Sequence, residues 1–178
     1  TEGQILCQDG EAVEAYYFST SAGVTSTDEI WGSDEAAPYL RSVPCKFDEE
    51  EPWSSWTVEI PWKLLEDRIR EKGEGTVLRS ITVTRRSESG AATALEAVSD
   101  KDSCIIENEY EIREFLAPVN CMITEKDGTE TAGGSLLPSA YFELERTQDG
   151  NLLVRGKGYG HGVGMSQTGA DKMAEQGY

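Results

Sequence analysis

The residues between Arg155 and Ala170 are those whose types and spacing bear most on chemistry. Glycine stands at every second position from Gly156 to Gly164, and the single histidine of the chain, His161, sits among them. Alternate glycines strip one face of an extended strand of side chains, so another backbone or a ligand can come very close there. After Gly164 the period lengthens: Met165, Gly169 and Met173 fall on one helical stripe, with Ala170 and Ala174 beside it, and Gly177 predicts the end of that helix. Ser166 is placed to cap it. Free N–H groups at such an N-terminus can hold an anion or a developing oxyanion. They would also depress the pKa of His161 and leave a neutral imidazole able to accept or donate a hydrogen bond. A plainer reading has His161 tying two loops together. A nucleotide-phosphate loop does not fit, because no G-x-x-x-x-G-K-[ST] occurs and Lys157 stands near the start of the run rather than at its end.

The whole chain sets limits on what such a site could serve. Its 178 residues suit one domain, with room for a subdomain, and folding should bury roughly 70% of the unfolded surface. Sixteen Lys and Arg stand against 33 Asp and Glu, a net charge of −17. That field repels nucleic-acid phosphates and anionic membranes, so no nucleic-acid partner is expected. No stretch approaches the roughly 20 apolar residues of a membrane span. The chain starts at Thr1 without an initiator Met and stops at Gly177-Tyr178, and both ends read as cut from something longer. Cys7, Cys45, Cys104 and Cys121 are widely spaced with no Cys-x-x-Cys, which predicts no metal site and no cofactor. They read as buried or free thiols; in an exported protein one or two disulfides remain open, with three full pairings.

The elements that must position the run follow from local patterns. Asp9-Gly10 between short apolar segments, 4–7 and 12–18, predicts a hairpin. The hydroxyl-rich stretch Ser19–Thr27 reads as a loop that can line a polar cleft. Residues 31–56 read as an irregular aromatic loop broken by Pro44 and Pro52. Pro61 opens a helix with Leu64, Leu65 and Ile69 on one face, Glu66 able to pair with Arg70, and Gly73 as its stop. Strands are predicted at 77–85, 91–98 and 103–106. Asn108 with Glu111 starts a helix whose apolar face is Ile112, Phe115 and Leu116, and Pro118 ends it. Residues 124–135 read as a polar loop, and 141–144 and 152–154 as a hairpin around Asp149-Gly150. The total is about eight strands and about three helices, an α+β fold of mostly antiparallel strands in which a Gly-rich strand feeds a C-terminal helix. The segments group as 1–55 (groove-wall hairpin and loop), 56–150 (β/α middle subdomain) and 151–178 (Gly-rich strand and helix).

The run GKGYGHGVGMSQTGADKMAEQGY, from Gly156 to Tyr178, closely resembles the signature of the SpoIID/LytB family, G-x-G-x-GHGVGMSQ-x-GA…MA…G-Y. Two further segments agree, in family order. Tyr16 to Thr25 resembles the family's ST-S-GG-T segment, with Ala22 where Gly is usual. Ile30-Trp31-Gly32 followed by Pro38 to Val43 resembles its W-G…PYL-KSV segment, with Arg41 where Lys is common. The middle of the chain matches only in its alternation of strands and helices.

The resemblance implies an extracytoplasmic protein of spore-forming or related bacteria that acts on peptidoglycan glycan strands. The implied chemistry is lytic transglycosylation, with a preference for strands stripped of stem peptides by a partner amidase; other members are called amidase enhancers. One Glu protonates the glycosidic oxygen and then takes the proton of the sugar's 6-hydroxyl as a 1,6-anhydro ring closes. The family's catalytic Glu lies in an upstream E-A-L-K-A-Q-A segment that nothing in residues 1–178 matches, and the Cys/His zinc site of some members is also absent. The chain is therefore expected to hold no catalytic residue and to be inactive alone, as a soluble fragment of a membrane-anchored parent. On this reading Ser19, Ser21 and Thr25, with His161, Ser166 and Gln167, form a polar groove wall suited to sugar hydroxyls and N-acetyl groups. Tyr39 is an aromatic platform and Arg41 a cation for the lactyl carboxylate. Trp53, Trp56 and Trp62 are core or loop anchors. The rival readings are a non-catalytic glycan-binding or amidase-enhancing module, and a structural domain in which His161 faces a packed interior.

Overall fold

The computed structural model describes residues 3–33 and 35–178. In chain order the elements are β1 (Cys7–Gln8), β2 (Glu11–Ala12), β3 (Tyr17–Phe18), β4 (Trp56–Ile60), α1 (Trp62–Glu71), β5 (Leu78–Arg86), β6 (Ala92–Ser99), β7 (Ser103–Glu107), α2 (Glu109–Phe115), β8 (Met122–Glu125), β9 (Glu130–Ala132), β10 (Phe142–Arg146), β11 (Leu152–Gly156), β12 (Met165–Ser166) and α3 (Gln167–Glu175). A five-stranded antiparallel sheet has the order β10-β11-β4-β8-β9, and a three-stranded one the order β5-β6-β7. The α+β fold with mostly antiparallel strands is what the turn pattern predicts.

The main core lies between these two sheets and the helices. Trp56, Val58 and Ile60 point inward from β4, and Leu152 and Val154 from β11, in a register that sets Val154 opposite Val58 and Gly156 opposite Trp56. A side chain at Gly156 would put its Cβ 2.0 Å from the Trp56 ring, so this pairing requires glycine for space alone. α1 adds Leu65 and Ile69, and α2 adds Ile112 and Phe115, all fully or nearly fully buried. Burying each such side chain contributes about 1.5–3 kcal/mol. A smaller cluster of Ile30, Leu40, Ala91, Ala140, Tyr141 and Val163 joins the N-terminal loops to the glycine run.

Several local signals hold. Pro61 precedes α1 and Gly73, at φ 76°, follows it. The Asn108 side chain accepts from the Glu111 N–H at 3.0 Å. Asp9 and Gly10 both take positive φ, 53° and 86°, as a two-residue hairpin turn needs. The differences also have physical reasons. The first hairpin is only two residues deep because Ile5 and Leu6, 71% and 67% exposed, find no layer to pack on. Tyr17–Phe18 instead pairs in parallel with Met165–Ser166. Residues 31–56 are irregular up to β4, whose first residue, Trp56, is a core strand residue. Residues 122–132 form a hairpin, β8–β9, around Asp127-Gly128 rather than a loop. Glu66 turns from Arg70 to accept the Leu78 N–H at 3.3 Å, and Arg70 pairs with Asp67 at 2.5 Å.

Candidate functional site

The glycine run leaves β11 and feeds α3, but it does so as a string of bends rather than as a regular strand. Gly158, Gly160, Gly162 and Gly164 all take positive φ. The run is laced to the hydroxyl-rich loop. Thr20 and Tyr159 exchange backbone hydrogen bonds of 3.1 and 2.8 Å, the Ser26 N–H donates to the Gly162 carbonyl at 2.7 Å, and the Met165 N–H donates to the Tyr16 carbonyl at 3.0 Å. The close approach that alternate glycines allow is realised here. At Gly164, with φ 83°, a Cβ would stand 2.2 Å from the Tyr16 carbonyl oxygen. Only glycine combines that dihedral with that space.

His161 is half-buried at this seam. Its ring meets Trp31 edge-on at 5.1 Å and Phe18 at 5.9 Å between centroids, and Trp31 in turn meets Tyr16 at 5.0 Å. Nδ1 accepts the N–H of the fully buried Val163 at 3.1 Å. Burial pushes the imidazole pKa below its ordinary value, against an opposing pull from Glu109. The depression expected from a helix N-terminus is thus present with a different main cause. Behind Trp31 lies a buried ion pair: its Nε1–H donates to Glu109 Oε1 at 3.1 Å, and Arg113 bonds Glu109 Oε2 at 3.0 Å and the Leu137 carbonyl at 2.9 Å. The family-pattern tryptophan is thereby held by α2, an element the pattern does not include.

The polar residues singled out in the sequence fall into two groups. Ser21, Thr25 and Ser166 are buried and internally bonded. Ser21 Oγ accepts the Gly23 N–H at 2.9 Å; Thr25 Oγ1 donates to the Arg41 carbonyl and accepts the Val43 N–H, each at 3.0 Å. Ser166 caps α3, accepting the Gly169 N–H at 3.2 Å, and donates to Asp48 Oδ1 at 2.8 Å. Ser19 is half-buried, and its carbonyl accepts the Thr168 hydroxyl at 3.0 Å. Tyr39, Arg41 and Gln167 are exposed, with Arg41 Nε donating to the Pro38 carbonyl at 3.3 Å. The seam thus brings together Ser19, His161 and Ser166, through β3 and β12, while Tyr39 and Arg41 lie on the 37–43 loop beyond Thr25.

Asp48 is a seam residue that pattern reading misses. It is 1% exposed and accepts the hydroxyls of Ser166 and Thr168 and the Cys45 thiol, the last at 2.9 Å. Burial, then this hydrogen bond, pushes the Cys45 thiol up to about 11, so it stays protonated. The i,i+4 spacing of Glu109 and Arg113 is a legible signal for another buried acid; Asp48, in an acidic loop of similar residues, offers none. All four cysteines are free. Among the described residues no group of three or more His, Cys, Asp or Glu is arranged to hold a metal, and no helix is long and apolar enough to cross a membrane. Beside the seam a cleft of about 340 Å³ is lined by Ser21, Gly23, Ser54, Ser55, Lys126 and Lys157, among others.

Comparison with known proteins bears on what this seam serves. The model of a family described as Domain of unknown function (DUF8618) matches residues 40–164. Stage II sporulation protein D of Bacillus amyloliquefaciens is 33% identical over 179 aligned residues, covering 99% of this chain and 44% of that protein. The protein of the same name from Bacillus subtilis (strain 168) is 30% identical over 178 residues, again 99% and 44%. A Bacillus subtilis protein named Amidase enhancer is 21% identical over 210 residues, covering 99% of this chain and 29% of its own length. The chain spans less than half the length of the relatives it matches. With the three motif segments joined in one structural unit and these relatives aligned along nearly all of it, the chain belongs to the DUF8618 family and is SpoIID-like.

Proposed function

We propose that this chain is the signature-bearing part of a cell-wall protein of sporulation that acts outside the cytoplasm on peptidoglycan glycan strands. The reaction is lytic transglycosylation, with the catalytic glutamate lying outside these residues. The observation that carries the reading is the convergence of three segments far apart in sequence: Tyr17–Phe18 pairs with Met165–Ser166, Thr20 bridges Tyr159, and Trp31 packs on His161. A seam with so much close backbone contact is built to hold a surface rigid, which is what orienting a glycan against an acid requires. The two buried acids beside it do not suit the acid's part. Glu109 is committed to Trp31 and Arg113, and Asp48 to three donors. In the reaction the acid protonates the glycosidic oxygen as the C1–O bond breaks, the 6-hydroxyl closes on C1, and its proton returns to the carboxylate. This chain's share is to bind and orient the strand.

The test sets this chain beside a longer form carrying the segment upstream in its relatives. Both are incubated with glycan strands free of stem peptides, and products are read by mass spectrometry. Anhydro-ended products are expected from the long form only. Their release by the 178-residue chain alone would overturn the placement of the acid. Retention on glycan with no products from either form would favour the second reading, a binding module that assists a cell-wall amidase, toward which the relative named Amidase enhancer points.

A further inference from the structure

The acidity of the chain reverses locally. Lys and Arg number 16 against 33 Asp and Glu overall. Yet two adjoining clefts that share Ala22 and Lys157 are lined by four cations, Arg86, Lys126, Arg155 and Lys157, and by two acids, Glu49 and Glu143. Three of these cations are already paired: Arg86 with Glu143, Lys126 with Glu50 and Arg155 with Glu145, each at 3.1 Å. Lys157 makes no ion pair among the described residues. It projects where both clefts meet, on a backbone that cannot shift. Its N–H donates to the Tyr141 carbonyl at 2.9 Å and its carbonyl accepts the Ser139 hydroxyl at 2.6 Å. The glycines on either side are wedged against the Trp56 ring and the Thr20–Ala22 backbone. A cation so mounted loses only its own rotamer freedom on pairing.

The clefts measure about 340 and about 300 Å³, within the range of small-ligand pockets. Hydroxyls of Ser54 and Ser55 line one, and those of Ser89 and Tyr141 the other. Ser54 Oγ donates to the Glu49 carbonyl at 3.0 Å and Ser89 Oγ bonds Ser26, Ser87 and Tyr141, which leaves Ser55 as the hydroxyl with no partner among the described residues. Neutral hydroxyls around one unpaired ammonium suit a sugar that carries a single carboxylate, not a polyanion. The net charge of −17 does not forbid this. At physiological salt fields are screened beyond roughly 8 Å, so a contact pair is decided by the nearest charges. We propose that Lys157 is a carboxylate-recognition residue, pairing with the acid group of an acidic amino sugar while the Ser55 hydroxyl beside it takes one of its neutral groups. This rests on the glycan reading above and deepens it. It gives Lys157 the part that the sequence pattern assigns to Arg41, which lines neither cleft.

The carboxylate could belong to the sugar's own lactyl ether or to the end of an attached stem peptide. Calorimetric titration of the chain with three soluble probes separates these: a neutral N-acetylglucosamine oligomer, a peptide-free oligomer containing N-acetylmuramic acid, and the same oligomer bearing stem peptides. The wild type is expected to favour a carboxylate-bearing probe over the neutral one by about tenfold, the size of one charge-assisted hydrogen bond. Lys157→Gln should lose that preference without weakening the neutral oligomer, and Lys157→Arg should keep it. Preference for the peptide-free acidic probe assigns the lactyl group, and preference confined to the third probe assigns the peptide. Equal affinity of the wild type for neutral and acidic probes, or a preference that survives in Lys157→Gln, overturns the proposal and leaves the glycan reading standing. Binding to none of the probes overturns both.

Discussion

His161 carries two duties that pull on one ring. Its Nδ1 satisfies the N–H of Val163, a residue with 0% exposure, and its faces fill the space between Trp31 and Phe18. Removing the acceptor leaves a buried donor unpaired, which costs about 1–3 kcal/mol. His161→Ala should therefore lower the stability by that much or more, and His161→Asn, whose side-chain carbonyl can accept the same N–H, by less; thermal unfolding of the two variants reads the difference. The pH dependence follows from the same burial. The folded pKa lies below the unfolded value of 6.5. Between the two, the unfolded chain binds the proton and the folded one does not, so stability is complete above the unfolded value and falls as pH drops through the folded one. Melting temperatures measured downward from neutral pH should decline in the wild type and decline less steeply in His161→Asn. Equal slopes would mean that the imidazole is not what the acid end of the profile reports.

At the scale of elements, the glycine run and the 16–26 loop make one unit. Each lacks a regular partner of its own, and each supplies the other's backbone hydrogen bonds. Substitution tests this without touching any polar group. Gly164→Ala adds a methyl 2.2 Å from the Tyr16 carbonyl at a φ of 83°, whereas Gly134→Ala meets nothing within 4 Å. The first should cost at least about 2 kcal/mol in denaturant unfolding, and the second should stay within about 0.5 kcal/mol. A tolerated Gly164→Ala would sink the packing described for the seam. Elements whose signals are local are legible in the sequence: the Pro61 start of α1, the Asn108 cap of α2, the Asp149-Gly150 turn. β4 was legible in principle, through the alternation of Trp56, Val58 and Ile60, but Pro52 and the serines before it read as loop. Asp127-Gly128 carried the same hairpin signal as Asp149-Gly150 and was outweighed by the polar residues around it. The parallel pairing of β3 with β12 joins residues nearly 150 positions apart, and no local pattern encodes it. For the same reason the sequence shows that Ser21, Thr25 and Ser166 bear hydroxyls but not that these are bonded inside the protein. Lys157 shows the converse: it stood in view as one lysine among glycines, and only the fold reveals its two clefts.

Across the whole molecule, charge is the force most at odds with compactness. A net −17 on 178 residues works against folding through self-repulsion. Ion pairs offset little of it, because nearly all are solvent-exposed, and exposed pairs contribute about 0–1 kcal/mol. The exception is Glu109–Arg113, whose side chains are 3% and 9% exposed. Salt acts on these two kinds of interaction unequally. It screens the long-range repulsion among exposed carboxylates, weakens exposed pairs that were worth little, and barely reaches the buried pair. The repulsion should win. Raising sodium chloride from about 0.02 M to about 0.5 M shrinks the Debye length from roughly 20 Å to roughly 4 Å and should raise the melting temperature. Each kcal/mol regained corresponds to about 2–4 °C for a chain of this size. Chloride is the salt to use, since sulfate would stabilise through exclusion from the surface whatever the charge. A melting temperature that stays level or falls would show that the carboxylates are spaced widely enough to be solvated independently, and that the ion pairs among the described residues carry more of the fold than their exposure suggests.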